Sequence, residues 1–330
     1  MQVGHRHEVR ILYGDPAHGS RALYRQAMVG AGFGNLREFS TLEDFTDLVA
    51  VAQPDLLLMD IGLPGGDVAQ LVSDLRHGRL GINPYLPVIL TTWEAERSVV
   101  RRLVDSGADD LLVKPLSTKA LLDRLEAVAM NRKPFVVTSD YIGPDRRRVD
   151  ARRESNVPLF DVPNPMRAKL TGEGFDARAL QQAVMLMNEQ VNRQRLQASA
   201  FRIAFVAAQI VPLYKAQTMP DAHTLTLLRD LIVSTEDIQR RVVDTDLAHV
   251  GQLCERLLTP ARQMYDRGED FVFTFDWQKS FDLLKTLGDA VLAFFHPDRD
   301  AAMLAGEVAV AVDRFQARRA AEEAGQVPQV

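Results

Sequence analysis

The chain has little cysteine, no long apolar segment and no excess of basic charge. Cys254 is the single cysteine among 330 residues, which excludes an intramolecular disulfide bond and a zinc site built from several cysteines. No apolar run is long enough to span a bilayer, and the first eight residues lack the apolar core of a signal peptide. The formal net charge of -5 and the pI of about 5.8 argue against a nucleic-acid partner, because phosphate contact usually needs a basic face. We therefore expect a cytoplasmic protein with neither a membrane nor a nucleic acid as its partner.

The most informative stretch of the chain is an apolar run that ends on a carboxylate. Residues 56–59 are all apolar, Asp60 follows them, and three glycines and a proline lie within residues 62–66. This pattern predicts a buried parallel strand that delivers Asp60 into a tight loop. A charge at the edge of an apolar sheet needs cations or donors around it, which makes Asp60 a candidate functional residue. The alternative is that Asp60 only caps the loop or the next helix.

Strands and helices alternate through residues 8–131. Short apolar runs at residues 9–13, 36–39, 56–60, 87–92 and 110–114 are each followed by a helical pattern, with Thr41 or Ser40 and Ser117 as capping residues. Five such units predict a doubly wound, flavodoxin-like (βα)5 parallel sheet with ligands at the carboxyl ends of its strands. Those ends carry Asp15, Asp60, Thr92 and Lys114.

Four separated motifs agree in order and spacing with a known family. They are Asp15 after the first strand, the run from Met59 through Asp60 and Pro64, the run from Leu86 to Thr92, and the run from Gly107 to Lys114 and Pro115. Over about residues 8–131 the chain resembles the receiver domain of two-component response regulators. The resemblance implies that Asp60 is the phospho-acceptor, Thr92 the switch hydroxyl and Lys114 the cation that pairs with the phosphoryl group, with a cis peptide before Pro115. It also implies a sensor histidine kinase or phosphotransfer protein as the donor, and no enzyme activity beyond self-catalysed phosphorylation and dephosphorylation of the aspartate.

The family's acidic pair after the first strand is incomplete in this chain. Such a site needs Mg²⁺, for which Asp15 and Asp60 are the candidate ligands. An alignment without gaps puts Asp15 at the first acidic position and Pro16 at the second, whereas a slip of one residue puts Gly14 and Asp15 there. In both alignments one carboxylate is missing, and we expect Mg²⁺ affinity to fall about tenfold or more.

Two further departures lie near the predicted switch. Trp93 occupies a position where the family prefers a small residue, and Leu111 occupies the position of a switching aromatic ring. These changes predict slow phosphoryl turnover or, at the limit, a receiver that acts as a docking or dimerisation module without phosphorylation.

Residues 132–175 have the composition of a basic, proline-rich and arginine-rich linker or arm with one short extended segment. The arginines between Arg146 and Arg153 predict a solvated segment or one that pairs with acidic groups. Arg147, Arg148 and Arg152 match the arginine half of a cyclic-dinucleotide-binding pattern, but its partner motif and a following run of strands are absent, and we reject that interpretation.

Residues 176–320 show helical periodicity without a catalytic signature. The pattern predicts helices at residues 176–215, 225–232, 238–258, 277–295 and 298–319, packed as an antiparallel bundle that acts on a protein target, and a disordered tail at 321–330. An alternative function is phosphotransfer through His249, although the Lys-Gly pair that usually follows such a histidine is absent. A homodimer also remains open.

Overall fold

The computed structural model describes residues 5–147, 157–172, 176–215, 222–243, 245–268 and 275–323. The chain divides into two units, Met1–Val191 and Asn192–Val330. None of the described helices is both long and apolar enough to cross a membrane.

Five parallel strands form the centre of the first unit. The strand order is β2-β1-β3-β4-β5, and every neighbouring pair is parallel. The doubly wound sheet predicted from the sequence is therefore confirmed. The strands are β1 (Arg10–Gly14), β2 (Asn35–Phe39), β3 (Leu56–Asp60), β4 (Val88–Thr92) and β5 (Asp110–Val113), and the helices are α1 (His18–Gly30), α2 (Leu42–Ala52), α3 (Val68–Arg76), α4 (Arg97–Asp105) and α5 (Thr118–Met130).

Local side-chain hydrogen bonds define where three of these helices, α2, α3 and α5, begin. Thr41 accepts a hydrogen bond from the Asp44 backbone N–H, and the Asp44 carboxylate accepts one from the Thr41 backbone N–H, which completes a capping box at α2. Asp67 caps α3 and Ser117 caps α5 in the simpler way. Helix starts are thus encoded by residues next to the strands, and this keeps each connection short.

The register of the strands brings the polar residues to one edge. Asp60 lies opposite Thr91, and Thr92 lies opposite Val113, so the carboxyl ends of β3, β4 and β5 are level. Asp15 directly follows β1 and Lys114 directly follows β5. The Lys114–Pro115 peptide is cis, as the family resemblance implies.

The stretch predicted as a linker is a folded part of the first unit wherever the structure describes it. An antiparallel sheet of order β7-β6-β8 contains β6 (Phe135–Val137), β7 (Ile142–Pro144) and β8 (Leu159–Phe160), and a helix, α6 (Pro165–Thr171), follows. Strands of two or three residues are too short to show a period in the sequence, and prolines hide them further. Arg148–Arg153 of the predicted arginine segment lie outside the described residues.

At the amino edge of the parallel sheet, a buried cluster of charges joins these added strands to that sheet. Asp109 accepts hydrogen bonds from Arg76 at 2.9 Å and from Arg132 at 2.6 and 3.1 Å, as well as from the Val88 backbone N–H at 2.8 Å. Both guanidinium groups lie over the Phe135 ring of β6, at 5.2 and 4.8 Å. Arg76 also donates to three backbone carbonyls, those of Gly107, Pro84 and Leu86.

The described residues of the second unit form helices joined by turns. The unit contains the part of α7 (Ala177–Lys215) from Asn192 onward, then α8 (Ala222–Val242), α9 (Ala248–Arg267), α10 (Phe275–Phe295) and α11 (Ala301–Glu323). In its core α8 packs against α9, and α9 packs against α10. The antiparallel order of the helices stays a prediction.

The helix boundaries of this unit correct three sequence expectations. No break occurs between residues 232 and 238, because Thr235 is buried and donates back to the Leu231 carbonyl, while buried Asp237 pairs with Arg195 and Arg241. Pro260 lies inside α9, which continues to Arg267 instead of ending at residue 258 as predicted. The helix α11 continues to Glu323, so the predicted tail begins inside it, and residues 324–330 lie outside the described residues.

Candidate functional site

The Asp60 side chain lies buried at the carboxyl edge of the parallel sheet, and both of its oxygens have donors. Its Oδ1 accepts a hydrogen bond from the Gly62 backbone N–H at 2.8 Å. Its Oδ2 accepts one from the Thr91 hydroxyl at 3.0 Å and lies 2.5 Å from the Lys114 ammonium nitrogen. The surroundings therefore compensate the charge that the sequence places at this edge.

Lys114 bridges two carboxylates. Its Nζ lies 2.5 Å from Asp15 Oδ2 as well as from Asp60 Oδ2, and the lysine is buried. Burial by itself lowers the pKa of Lys114, but the hydrogen bonds to Asp15 and Asp60 outweigh burial and raise the pKa above its ordinary value. The lysine thus stays charged at neutral pH.

Two aromatic rings flank this ammonium group. The ring of Trp93 lies 5.6 Å from Lys114 Nζ, and the ring of Tyr24, a buried residue of α1, lies 5.9 Å from it. The indole itself is 66 % exposed, so it forms the outer lip of the site. Leu111 contributes to the sheet core as a half-buried side chain of β5.

The structure shows which residues stand at the two acidic positions, Asp15 with Pro16 or Gly14 with Asp15. Gly14 is the last residue of β1, and a Cβ atom built there would lie 2.2 Å from the Phe39 ring, so this position has no room for a carboxylate. Asp15 points into the site, where its Oδ1 also accepts the Ala17 backbone N–H at 2.8 Å. The exposed Pro16 offers no side-chain oxygen, so Asp15 is the one acid at this point of the site.

The hydroxyl next to Asp60 belongs to Thr91 and not to Thr92. The Thr92 hydroxyl accepts a hydrogen bond from the Glu94 backbone N–H at 2.8 Å, on the loop that follows β4. Counting back from Lys114 selects Thr92, but side chains alternate along a strand and the register pairs Asp60 with Thr91. The switch role predicted for Thr92 stays a prediction. Sequence reasoning also missed Tyr24, whose signal was a phenol among the apolar positions of a helix.

The carboxylates do not fit a divalent cation in this arrangement. Each of the four oxygens of Asp15 and Asp60 already has a donor, and Lys114 holds the space between them. Among the described residues, no group of three or more His, Cys, Asp or Glu side chains could hold a metal ion.

Two other predicted or reactive groups belong to the second unit. His249 is an exposed residue in the first turn of α9, with its ring 5.2 Å from that of Phe294. Cys254 is buried, and burial raises the pKa of its thiol to about 11, which leaves it unreactive at neutral pH.

The site is a buried carboxylate with a lysine and a hydroxyl at the carboxyl edge of a doubly wound parallel sheet, where this fold class binds its ligands. A family model described as the response regulator receiver domain matches residues 11–126. The chain is 33% identical over 159 residues to the KDP operon transcriptional regulatory protein KdpE of Escherichia coli (strain K12), covering 46% of this chain and 68% of that protein. The chain therefore belongs to the response regulator family and carries the receiver domain of a two-component system.

Two other matches cover a smaller share of this chain. The phosphate regulon transcriptional regulatory protein PhoB of Escherichia coli (strain K12) is 37% identical over 84 residues, which cover 26% of this chain and 36% of PhoB. The chain thus spans about a third of that relative. The solved structure of chemotaxis response regulator CheY4 of Vibrio cholerae matches with 20% identity and a TM-score of 0.34, over 36% of this chain and 98% of CheY4.

Proposed function

We propose that this protein accepts a phosphoryl group on Asp60 and signals through its helical unit, which binds a protein target. The observation that carries the proposal is the buried Asp60 carboxylate in contact with the Lys114 ammonium and the Thr91 hydroxyl. Preorganised donors and a positive charge are what a phosphoryl group needs as negative charge develops on its oxygens. The donor is a sensor histidine kinase or a phosphotransfer protein, the location is cytoplasmic, and the chain is no enzyme beyond this self-catalysed chemistry.

In the proposed step an Asp60 oxygen forms a bond to phosphorus while the phosphorus–nitrogen bond of the donor phosphohistidine breaks. The electron pair of that bond goes to the ring nitrogen, and the donor leaves as a neutral imidazole whose other nitrogen carries the proton. Lys114 then pairs with the phosphoryl oxygens instead of with both carboxylates. Mg²⁺ belongs to this proposal only as a weakly held cofactor: Asp15 and Asp60 would hold it, and it would neutralise phosphoryl charge, once Lys114 has left the space between the two carboxylates.

The test treats the full chain with a small-molecule phosphodonor, with and without Mg²⁺, and reads the intact mass. We expect one acid-labile phosphoryl group on the wild type and none on Asp60→Asn. Asp105→Asn is the matched control, because this α4 carboxylate is exposed and makes only a 3.7 Å pair with Arg101. An unmodified wild type, or an Asp60→Asn variant that is modified equally, would contradict the proposal.

A second candidate is a receiver that docks or dimerises without phosphorylation. It is favoured by the Pro16 substitution and by the donors that already satisfy every oxygen of Asp60 and Asp15. An Asp60→Asn variant with unchanged partner binding would support it. Phosphotransfer through His249 would instead show as a base-stable phosphate on that exposed histidine.

A further inference from the structure

Thr91 places a hydroxyl against Asp60 from the neighbouring strand. The register pairs Asp60 of β3 with Thr91 of β4, and the Ile61 backbone N–H donates to the Thr91 carbonyl at 3.0 Å. Thr91 is fully buried, and its branched β-carbon restricts rotation about χ1. The hydroxyl is therefore held in place, and it donates to Asp60 Oδ2 at 3.0 Å. The family resemblance gives the switch role to Thr92 and no role to Thr91.

The donors around Asp60 differ between its resting and its phosphorylated state. In the resting state Lys114 and Thr91 serve Oδ2, and the Gly62 backbone N–H serves Oδ1. In the proposed phosphorylated state Lys114 pairs with the phosphoryl oxygens, which leaves Thr91 and Gly62 on the carboxyl group. A hydrogen bond to a charged acceptor is about twice as strong as one to a neutral acceptor. The Thr91 hydroxyl therefore stabilises the free carboxylate more than the acyl phosphate.

We propose that Thr91 sets the lifetime of the phosphoryl group by stabilising the carboxylate that leaves during hydrolysis, an inference that rests on the proposed phospho-acceptor function. In this step a water oxygen bonds to phosphorus, the bond between phosphorus and the Asp60 oxygen breaks, and the electron pair of that bond returns to the carboxylate. Both water protons stay on the dihydrogen phosphate product. Negative charge grows on Asp60 as the bond breaks, and the hydrogen bond from Thr91 strengthens with it.

The loose transition state of phosphoryl transfer makes this effect unequal for gain and loss of phosphate. The bonds from phosphorus to the entering and leaving oxygens are both weak at that point. A leaving carboxylate then already carries most of its charge, while an attacking carboxylate has given up little of its own. Removing the Thr91 hydroxyl should therefore slow the loss of phosphate and leave the rate of gain nearly unchanged, whereas a general distortion of the site would slow both.

The experiment phosphorylates the full chain with acetyl phosphate at a fixed Mg²⁺ concentration. Intact mass gives the rate of gain and, after removal of the donor, the rate of loss. Thr91→Val keeps the shape of the side chain without its hydroxyl, and should lengthen the phosphoryl half-life about fivefold while changing the rate of gain by less than about twofold. Thr91→Ser keeps the hydroxyl and should lose phosphate at nearly the wild-type rate.

A matched control separates the hydroxyl from packing. Ile89 is a fully buried residue two positions earlier on β4, so its apolar side chain lies on the same face of the strand as that of Thr91. Ile89→Val should leave both rates unchanged.

Three results would overturn the role of Thr91 alone: a Thr91→Val variant that loses phosphate as fast as the wild type, gain and loss that slow together, or a Thr91→Ser or Ile89→Val variant with the same longer half-life. A wild type that takes up no phosphate would instead contradict the proposed function, and the role of Thr91 would fall with it.

Discussion

At the amino edge of the parallel sheet Asp109 is held by two arginines, and at the carboxyl edge Asp60 is held by one lysine. Both carboxylates are buried, and both lie against cations. The difference is in the cation: Arg76 has its donors fixed on three backbone carbonyls besides Asp109, whereas Lys114 has only side-chain partners.

This difference separates a structural ion pair from one that can change partners. A guanidinium is a rigid planar donor that matches several acceptors at once, while an ammonium is a compact charge on a flexible stem. Burial lowers the pKa of Arg76 to about 10, against the opposing effect of Asp109, which still leaves it charged at neutral pH. We infer that the amino edge is built to stay closed and the carboxyl edge to release its lysine to an incoming anion.

The largest expected effect is the difference in stability loss between two matched substitutions, Asp109→Asn at the amino edge and Asp60→Asn at the carboxyl edge. Asp109→Asn leaves two buried guanidinium groups without their shared counter-charge and should cost about 3–5 kcal/mol. Asp60→Asn should change stability by no more than about 1 kcal/mol, because Asp15 still pairs with Lys114 and the repulsion between the two acids is removed.

Hydrogen exchange of peptides from β4 and β5 measures the stability loss of the first unit in each variant. A single unfolding midpoint would not, because the chain has two units and the midpoint would combine their stabilities. Asp110→Asn is the control, because Asp110 is partly exposed and its pair with Arg124 is long, at 3.4 Å. Equal losses for Asp109→Asn and Asp60→Asn would remove the distinction between the two edges.

The next largest effect should come from exchanging the type of cation. Arg76→Lys keeps the charge but cannot reach Asp109 and three backbone carbonyls together, and should destabilise the first unit by about 2 kcal/mol. Arg79→Lys is the matched control on an exposed residue that pairs with Asp74, and should stay within about 0.5 kcal/mol. Denaturant unfolding, followed by hydrogen exchange of the same peptides, tests both variants. An Arg76→Lys variant as stable as the wild type would show that the carbonyl contacts contribute little.

The two edges also differ in how far the sequence predicted them. The carboxyl edge follows strong local signals: an apolar strand ending at Asp60, and Lys114 at the end of β5. Parallel strands with level ends bring such residues together without further information. Helix starts at Thr41 and Ser117 were predictable for the same reason, because capping depends on neighbouring residues only.

What could not be predicted depends on contacts between distant segments. Arg132 and Phe135 looked like the start of a linker, yet they pack on Asp109 and Arg76 through bonds that no local pattern encodes. That Thr91, and not Thr92, contacts Asp60 depends on the register between β3 and β4, where an error of one residue moves a side chain to the other face. Tyr24 likewise enters the site only through packing of α1.

A smaller effect is expected from restoring the missing acid at the carboxyl edge. Pro16→Asp adds a carboxylate beside Asp15 and should raise Mg²⁺ affinity about tenfold, because one charge-assisted ligand is regained. Trp93 lies beside Lys114 and reports on the site through its fluorescence, provided that the second tryptophan is removed as Trp277→Phe. Pro16→Ala is the control for the altered loop, and an equal Mg²⁺ response in both variants would mean that the acid does not reach the ion.

The smallest effect concerns the exposed indole at the lip of the site. Trp93 shields the Lys114 ammonium with its ring 5.6 Å away, and a cation–π contact at an exposed site is worth ~0.5–1 kcal/mol. Trp93→Ala should admit water more freely and speed the loss of phosphate from Asp60 about two- to fivefold, whereas Trp93→Phe should keep part of the shielding. The decay of the phosphorylated mass after removal of the donor gives this rate. At the amino edge, by contrast, Phe135 is fully buried against its two arginines, so a Trp93→Ala variant that decays like the wild type would show that the exposed indole does not control access of water to the acceptor.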